Sequence, residues 1–441
     1  MKPLRVIRHI TICLSILYGV VLTVQPRGAG SLDRDGVSSV AMLVPSGEAA
    51  KYWPRWRGPS GQGVVEDAGY PDLWSDQENV LWKMETPGQG NSSPVIWQDR
   101  IFLTTAYEGG SRRSILCLRR SDGKLLWETF APDAMPERAN RKNGYASSTP
   151  STDGERIYAY LGNHGLMCLD FQGKQVWHRS LGELNAYHGT ACSPLLYQDR
   201  VVIYQDQRRP AFSFVAAFDK RTGETLWWKG REEQVGWGSP VAIRAGERDE
   251  IIVSSQKRVY AYDPQTGGEL WRCDGNLFEV TPTPAVGHGL IYCSSGRAGP
   301  TLAIRPGGSG DVTATRVAWS AHKGSPFIPS PLLYGDYLYV VNDMVSIATC
   351  YEARTGNLVW QGRLGEAQRE GFSASPVAVD GKIFFTNDAG ETFVLQAGPE
   401  YKLLRVNRLN ARTLASPALV DGRWYFRTDT HLLCIGKPPK I

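Results

Sequence analysis

The residues of this sequence that could do catalytic or metal chemistry are scattered along it. Metal-ligating histidines usually lie close together at regular spacing, or beside Cys, Asp or Glu in a short motif. No paired spacing is found among the histidines His164, His178, His188, His288, His322 and His431. No Ser, Cys or Lys motif with a neighbouring base indicates a nucleophile either. The sequence therefore predicts neither a metal site nor catalytic residues.

The cysteines follow a repeat instead of a disulfide framework. Four of them share one repeat position with two alanines: Cys117, Cys168, Cys350, Cys434, Ala217 and Ala261. Equivalent positions of different repeats lie too far apart for a disulfide, which needs Cα atoms within about 7 Å. We interpret these four cysteines as small core residues. No role is assigned to Cys192, Cys273 or Cys293.

Two anchors show the repeat itself. A Ser-Pro or Thr-Pro pair begins at Ser93, Thr149, Ser193, Ser239, Thr283, Ser330, Ser375 and Ser416. A tryptophan recurs at Trp82, Trp127, Trp177, Trp227, Trp271, Trp319 and Trp360, and its eighth position falls at residues 402–404. Both series advance mostly by about 41–50 residues, the period of propeller blades. We predict an all-β fold, an eight-bladed β-propeller of four-stranded antiparallel blades, over residues 79–436.

The two series are out of phase, which predicts how the ring closes. Trp82 precedes the first Ser-Pro pair, so its strand has no inner strands before it. The last copy, from Ser416 to Cys434, has room for only three strands. We therefore expect residues 79–85 to supply the outer strand of the last blade. Closing the ring with an N-terminal strand would remove an open sheet edge.

The ends of the chain have a different composition. Residues 2–8 are basic, residues 10–24 are an apolar run, and small residues follow. This pattern predicts a signal peptide over residues 1–30, or an anchor that tethers the chain to a membrane through residues 10–24. We expect the protein to be exported to the periplasm or cell envelope, or secreted. Residues 31–50 are expected to be a linker and 437–441 a tail.

Charge argues against a nucleic-acid partner. The formal net charge is +5, and the basic residues of the predicted signal peptide account for most of it. The remaining basic residues are scattered, whereas nucleic-acid binding requires a strong basic field.

Residues 51–78 form an arm rich in Trp, Gly and Pro. It contains Trp53, Trp56 and several Gly and Pro residues that prevent a regular helix or strand. We expect its aromatic residues to cover the side of the propeller near the closing blade.

Strand alternation predicts a functional face. The short turns between first and second strands, and between third and fourth, share one face, which we call the turn face. The loops between blades and between second and third strands share the opposite face, here called the loop face. We expect five long segments there: residues 107–113, 132–145, 206–210, 296–300 and 307–313. Variable loops on a rigid scaffold are a common place for binding.

A second motif marks the turn into the fourth strand. It reads Ala-x-Asp-x-x-Thr-Gly-x-x-x-Trp in two copies, with a weaker third copy in which Cys350 and Glu352 replace Ala and Asp. Its residues are Ala217, Asp219, Thr222, Gly223, Trp227, Ala261, Asp263, Thr266, Gly267, Trp271, Thr355, Gly356 and Trp360. We assign them a structural role, with Asp accepting turn N–H groups and Trp packing between blades.

This motif resembles the tryptophan-docking motif of pyrroloquinoline-quinone (PQQ) repeat propellers. In size and blade number the chain is similar to the BamB-like propellers of outer-membrane barrel assembly and to exported bacterial PQQ-like propellers. The resemblance covers about residues 53–436 and implies the propeller fold. Quinone-binding members of this family carry adjacent cysteines, a calcium site and an Asp base. This sequence has no Cys-Cys pair, so we expect no cofactor.

Residues on the loop face are the candidate binding site. Aromatic and polar residues precede each innermost strand, and arginines lie in nearby loops, a combination common at protein interfaces. The candidates are Asn91, Tyr145, His188, Trp237, Phe278, Phe327, Phe372, Arg138, Arg141, Arg208 and Arg209.

The leading hypothesis is an exported, non-catalytic and monomeric propeller. It would bind an unidentified protein or cell-envelope component through its loop face. One alternative is an oxidoreductase that uses PQQ with calcium. The other is a sensor of a small ligand such as a sugar.

Overall fold

Runs of Val, Ile, Tyr and Phe that end at tight turns form short strands throughout the chain. The computed structural model describes residues 39–296, 299–366 and 371–438. The predicted signal peptide or anchor, part of the linker, part of the 296–300 loop and most of the tail lie outside the described residues. Eight antiparallel sheets are present within them. The predicted all-β, eight-bladed propeller is confirmed.

The first four blades are each built from four consecutive strands. Blade 1 consists of Val95–Trp97, Arg100–Tyr107, Arg112–Arg119 and Leu125–Phe130. Blade 2 consists of Ser151–Thr152, Arg156–Tyr160, Leu166–Asp170 and Gln175–Arg179. Blade 3 consists of Leu195–Tyr197, Arg200–Gln205, Ser213–Asp219 and Thr225–Arg231. Blade 4 consists of Val241–Ala245, Arg248–Ser254, Arg258–Tyr262 and Glu269–Asp274.

The last four blades repeat the arrangement. Blade 5 consists of Ala285–Gly287, Leu290–Ser294, Thr301–Ile304 and Val317–Ala321. Blade 6 consists of Leu332–Tyr334, Tyr337–Asn342, Ile347–Glu352 and Leu358–Arg363. Blade 7 consists of Val377–Val379, Lys382–Thr386, Glu391–Gln396 and Leu403–Arg408. Blade 8 consists of Ala418–Val420, Arg423–Arg427, His431–Ile435 and the early strand Val80–Glu85.

Few other elements are present. Two extra strands, Val40–Met42 and Gly310–Asp311, extend the blade 4 sheet at its two edges. Helical turns are found at Gly47–Lys51, Glu108–Gly110, Gly162–His164, Pro210–Phe212 and Thr313–Arg316. Across the described ranges, the helices are all too short to span a membrane. The strand Val40–Met42 and the turn Gly47–Lys51 lie partly or wholly within residues 31–50, so the predicted linker contains ordered structure.

The ring closes between the two ends of the propeller. Val80–Glu85 pairs antiparallel with His431–Ile435, and Trp82 lies opposite Cys434. The predicted closure by the N-terminal strand is therefore confirmed. The apolar core lies between neighbouring sheets, where the second and third strands are buried on both faces.

Outer-strand tryptophans join six of the eight blades to the next. Their indole N–H groups donate to backbone oxygens of the following blade at 2.9–3.1 Å. The pairs are Trp82 to Arg120, Trp127 to Phe171, Trp177 to Lys220, Trp227 to Pro264, Trp319 to Ala353 and Trp360 to Gly398. In all of these pairs except Trp360 to Gly398, the turn glycine of the receiving blade lies directly against the ring. At Gly223, a Cβ atom would be 2.6 Å from the Trp177 ring.

The structure places the other motif residues in the turn and beside the tryptophan. Asp219 Oδ1 accepts the N–H groups of Arg221 and Thr222 at 2.8 and 2.7 Å. Asp263 Oδ1 likewise accepts the N–H groups of Gln265 and Thr266 in its own turn. Ala217 and Ala261 are fully buried opposite their tryptophans, where a large side chain would displace the indole.

Trp271 departs from this pattern because blade 5 has no tight turn to receive it. The segment between Ile304 and Val317 joins third to fourth strand, so it lies on the turn face. The prediction that residues 307–313 form a loop-face segment is wrong for this reason. Within this segment Gly310–Asp311 pairs in parallel with Trp271 and Arg272. The Trp271 indole N–H instead donates to Glu250 Oε2 at 2.8 Å.

The Ser/Thr-Pro pairs form a second ring of contacts around the central channel. In seven of the eight pairs, the backbone N–H donates to the hydroxyl oxygen of the equivalent residue in the next blade, at 2.8–3.1 Å. The following Pro favours an extended backbone at this position. We call the eight residues the hydroxyl ring: Ser93, Thr149, Ser193, Ser239, Thr283, Ser330, Ser375 and Ser416. The Ser93 hydroxyl, at the seam between blades 8 and 1, has no partner among the described residues.

Arg427 occupies that seam. Its guanidinium Nη1 donates to Ser92 Oγ at 2.6 Å and to the Thr104 carbonyl oxygen at 2.8 Å, so blade 8 is bonded to blade 1. Burial lowers the pKa of Arg427 to about 9.

The N-terminal arm enters the channel from the turn face, which the sequence did not predict. Its contacts fall three positions after the hydroxyl ring in four blades, at Ile96, Thr152, Val286 and Ala378. Leu43, which precedes the arm, makes the equivalent contact at Ala242. Innermost strands expose unpaired N–H and C=O groups to the channel, and the arm bonds to them. Trp53 pairs with Ile96 in this way. Only the later part of the arm covers the closing blade as expected, where Trp74 packs on Trp424 at 5.1 Å.

Substitution of one turn glycine tests the contribution of the tryptophan contact. Gly223 (φ 71°) and Gly381 (φ 70°) have the same left-handed backbone, but only Gly223 lies against an indole. Gly381→Ala should lower the free energy of unfolding by about 1 kcal/mol through backbone strain. Gly223→Ala should lower it by a further ~1–3 kcal/mol through overpacking. Chemical denaturation of both variants measures the difference, and equal losses would contradict the assigned contact.

Candidate functional site

The channel above the arm is a blind cavity open to the loop face. It has a volume of about 220 Å³. Trp56, from the arm, lines it, and the arm closes the turn-face end of the channel. Its wall includes six members of the hydroxyl ring: Ser93, Thr149, Ser193, Ser239, Ser375 and Ser416. The hydroxyl ring therefore belongs to the site as well as to the scaffold.

The loop between blades 1 and 2, residues 132–145, forms one side of the rim. Its base is held by a buried ion pair, because Arg113 Nη2 lies 2.6 Å from Glu137 Oε2 and both side chains are fully buried. Its tip is held by Asn143 Nδ2, which donates to the His188 carbonyl oxygen at 2.7 Å. Lys142 Nζ lies 2.8 Å from Asp388 Oδ2 of blade 7. The loop thus extends across the channel mouth.

An aromatic group forms the side of the rim nearest blade 4. The rings of His188 and Trp237 lie 5.4 Å apart, and the Trp237 indole N–H donates to the Gly189 carbonyl oxygen at 2.9 Å. His188 Nε2 lies 3.7 Å from Glu279 Oε1, which also accepts the hydroxyl of Tyr187 at 3.0 Å. These contacts hold the aromatic side chains in place before any ligand arrives.

Two buried carboxyl groups lie behind the rim near blade 7. Asp343 Oδ1 accepts the N–H of Phe327 at 2.8 Å, whereas its Oδ2 has no partner among the described residues. Burial raises the pKa of Asp343 to about 6, against the hydrogen bonds from the backbone. Burial also raises the pKa of Asp388, although Lys142 opposes the shift. Asp388 is neutralised by its ion pair with Lys142, whereas Asp343 has no ion-pair partner among the described residues.

A second depression, the arginine groove, lies on the loop face beside blades 2 and 3 and has a volume of about 670 Å³. Arg138, Arg208 and Arg209 line it together with Phe212 and Trp228. Phe212 is 57% exposed and Trp228 44% exposed. Trp228 stacks on Phe214 with ring centroids 3.9 Å apart, which fixes its orientation.

A buried ion pair supports this groove from below. Arg231 Nε lies 2.7 Å from Asp206 Oδ1, and the guanidinium carbon is 4.8 Å from the Tyr260 ring. Both charged side chains are buried, so Asp206 belongs to the scaffold. The loop that carries Arg208 and Arg209 therefore begins from a fixed point.

The structure divides the sequence-predicted binding residues between these two sites. Asn91, His188, Trp237 and Phe327 line the cavity. Arg138, Arg208 and Arg209 line the groove. The four others are not part of either lining: Tyr145 packs on Gly110, Phe372 is buried against Phe393, and Phe278 and Arg141 are exposed elsewhere.

Sequence reasoning missed several site residues. The Ser/Thr-Pro repeat contains the hydroxyl ring, but it predicted only the blade repeat and not that these hydroxyl residues line a cavity. Asn140, Asn143 and Trp56 also line the cavity. Phe212 and Trp228 complete the groove. The sequence feature that could have indicated the groove is Trp228, which follows the docking Trp227 and therefore points away from the blade interface.

The residues present do not fit a calcium–quinone pair. Among the residues that the structure describes, no three His, Cys, Asp or Glu side chains are grouped to hold a metal ion. The seven described cysteines are all free and buried, and burial raises the pKa of the Cys192 thiol to about 12.

The chain is similar to known propeller proteins in sequence and in fold. A family model described as "Outer membrane protein assembly factor BamB" matches residues 111–361, more than half of the chain. The chain belongs to this family. The crystal structure of BamB from Moraxella catarrhalis superposes on this BamB-family propeller with a TM-score of 0.59 and 14% identity, covering 82% of this chain and 98% of that one.

Other similar proteins are named as enzymes. The quinohemoprotein alcohol dehydrogenase ADHIIG from Pseudomonas putida HK5 superposes with a TM-score of 0.62 and 10% identity, over 89% of this chain and 81% of that one. Tetrathionate hydrolase from Acidithiobacillus ferrooxidans is 20% identical over 49% of this chain. The match covers only 43% of that hydrolase. At these identities the structural likeness shows the fold alone.

The buried carboxyl group at the cavity rim predicts a pH dependence of stability. The pKa of Asp343 is about 6 instead of 3.8. At pH well below 3.8 the group is protonated in both states and has no effect. As the pH rises towards 6 only the unfolded chain loses the proton, so the free energy of unfolding falls by about 3 kcal/mol. Above that pH the loss is complete.

Asp343→Asn should remove this loss in the BamB-family propeller. The amide oxygen can still accept the Phe327 N–H, so the variant should be more stable than the parent by about 1–3 kcal/mol at pH 8. Near pH 3 the two should be alike. Denaturant unfolding at both pH values measures this, with Asp133→Asn as an exposed control. Equal stabilisation at both pH values would be inconsistent with a raised pKa.

Proposed function

We propose that this BamB-family propeller is an exported scaffold that binds a partner protein through the arginine groove of its loop face. The partner would present a segment that combines acidic and apolar side chains. Three arginines beside two exposed aromatic rings carry this proposal. The proposed binding function requires no catalytic residues in the groove.

The aromatic residues of the groove supply the apolar contact. Phe212 and Trp228 expose large rings in one depression. Trp is among the residues that contribute most to protein–protein affinity when a partner buries it. The stack of Trp228 on Phe214 reduces the conformational entropy that binding would cost.

The arginines supply the charge. Arg138, Arg208 and Arg209 form no ion pair with the residues that the structure describes, and Glu183 is the acidic residue of the groove lining. Guanidinium groups bind carboxylates in a bidentate geometry. An acidic segment therefore complements this surface, whereas a basic one would be repelled.

Export is supported by the sequence alone. The basic residues 2–8 followed by the apolar residues 10–24 have the order of a secretion signal. The same apolar residues could instead tether the exported chain to a membrane. Binding of a cell-envelope protein would agree with either form.

A peptide library displayed on phage tests the groove against the purified chain. Enriched peptides should be rich in Asp or Glu together with Leu, Phe or Trp. Their dissociation constants should rise with salt, because exposed ion pairs are screened. Trp228→Ala should weaken binding by at least about tenfold, as for an interface hot spot. Arg208→Glu with Arg209→Glu should reverse the charge preference.

Leu126→Ala is the matched control, because Leu126 is an exposed apolar residue on the outer strand of blade 1. It should leave peptide affinity unchanged. Enrichment of basic peptides, or acidic peptides that bind the Trp228→Ala variant as tightly as the parent, would rule out this function for the groove.

A further inference from the structure

The hydroxyl ring has unused hydrogen-bonding capacity. Seven of its hydroxyl oxygens accept a backbone N–H from the preceding blade. Within the described residues, none of the eight ring hydroxyls donates its own hydrogen to a protein acceptor. Ser93, which is 1% exposed, uses neither capacity. The cavity wall therefore offers several O–H donors at one level.

Aromatic and amide groups complete the lining. Trp56 is half-buried and lines the cavity, and Trp237 and Phe327 line it nearer the rim. Asn91, Asn140 and Asn143 bring side-chain amides to the same space. Flat apolar surfaces beside hydroxyl and amide groups suit a ligand that has apolar faces and a polar edge.

Acidic side chains lie on both sides of the cavity rim, and the Arg427 guanidinium lies behind its wall, bonded to Ser92. Asp343 and Asp388 lie behind the rim on one side, and Glu279 lies beside His188 on the other. The Lys142 ammonium group is already paired with Asp388. A ligand carboxylate would have to compete for Lys142 and would be repelled by the other acids.

We propose that the cavity binds one ring of a neutral sugar. A pyranose has apolar C–H faces for the aromatic side chains and hydroxyl groups around its edge for the ring hydroxyls and the amides. The volume of about 220 Å³ lies below the roughly 300–1,000 Å³ of drug-sized pockets, so one ring is the size that fits. The arm closes the turn-face end, so a longer glycan would enter by its terminal unit.

This site is separate from the arginine groove, and neither proposal depends on the other. Sugar binding goes beyond the proposed function because it assigns a small ligand to a different surface. Peptide binding to the groove could fail while sugar binding succeeds, and the reverse also holds.

Ligand-detected NMR with the purified chain tests the proposal. The probes are glucose, galactose, mannose and N-acetylglucosamine, with glucuronate and protonated glucosamine as charged counterparts. At least one neutral sugar should bind saturably and raise the melting temperature. Glucuronate should bind more weakly than glucose, because its carboxylate faces the acidic groups.

Ser239→Ala is the most specific variant, because Ser239 is the most exposed member of the hydroxyl ring that lines the cavity. Its Oγ accepts the Ser193 N–H at 2.9 Å, so its removal should also lower the free energy of unfolding slightly. Loss of one ligand hydrogen bond should weaken binding about three- to tenfold. Ala191→Phe should fill the cavity, which Ala191 lines, and abolish binding. Trp228→Ala, in the groove, should have no effect.

Several outcomes would overturn the proposal. One is the absence of saturable binding by every neutral sugar tested. A second is unchanged sugar binding by the Ala191→Phe variant, provided that its melting temperature shows that it is folded. A third is preference for glucuronate or glucosamine over their neutral counterparts, which would assign the cavity to a charged ligand.

Discussion

The free inner edges of the blades are the constraint on which this structure depends. Each innermost strand pairs with one neighbour only, so its other row of N–H and C=O groups faces the channel. Two layers of contacts satisfy that edge. The hydroxyl ring bonds blade to blade at one level, and Leu43 together with the arm bonds to five blades three residues further along. Closing the channel at the lower level leaves a cavity at the upper one. The candidate site is thus a direct consequence of how the scaffold satisfies its backbone.

The seam between blades 8 and 1 is where this solution changes. The hydroxyl ring is interrupted at Ser93, and the guanidinium of Arg427 bonds across the gap. A buried cation without a carboxylate is costly, and the lowered pKa of Arg427 reflects that cost. The early strand Val80–Glu85 offsets it by pairing with the last blade, and Trp82 then docks on blade 1. A ring built from one chain must have such a seam, and here both a strand and a charge close it.

The sequence predicted the scaffold well because its anchors are repeated. Ser/Thr-Pro pairs and tryptophans report a blade wherever they recur, and their phase predicted the strand exchange at Trp82. Features that occur once were harder to predict. Nothing local to Trp53 distinguishes packing inside the channel from packing outside the ring. Residues 307–313 were assigned to the wrong face because a long insertion replaces the tight turn of blade 5. The candidate residues formed two sites instead of one, because loop order along the chain does not specify distance from the channel axis.

The two candidate sites differ in charge, and this difference argues for two kinds of ligand on one face. The groove presents arginines without ion pairs beside exposed rings, so it favours acidic partners. The cavity pairs its lysine with Asp388 and is lined by hydroxyl, amide and aromatic groups, so it favours a neutral ligand. An acidic segment drawn to the groove would therefore not enter the cavity, and a neutral ring in the cavity gains nothing from the groove. Residues 132–145 carry Arg138 at the groove and Lys142 at the cavity. This loop, fixed at its base by the buried Arg113–Glu137 pair, is the structural element that keeps the two sites apart.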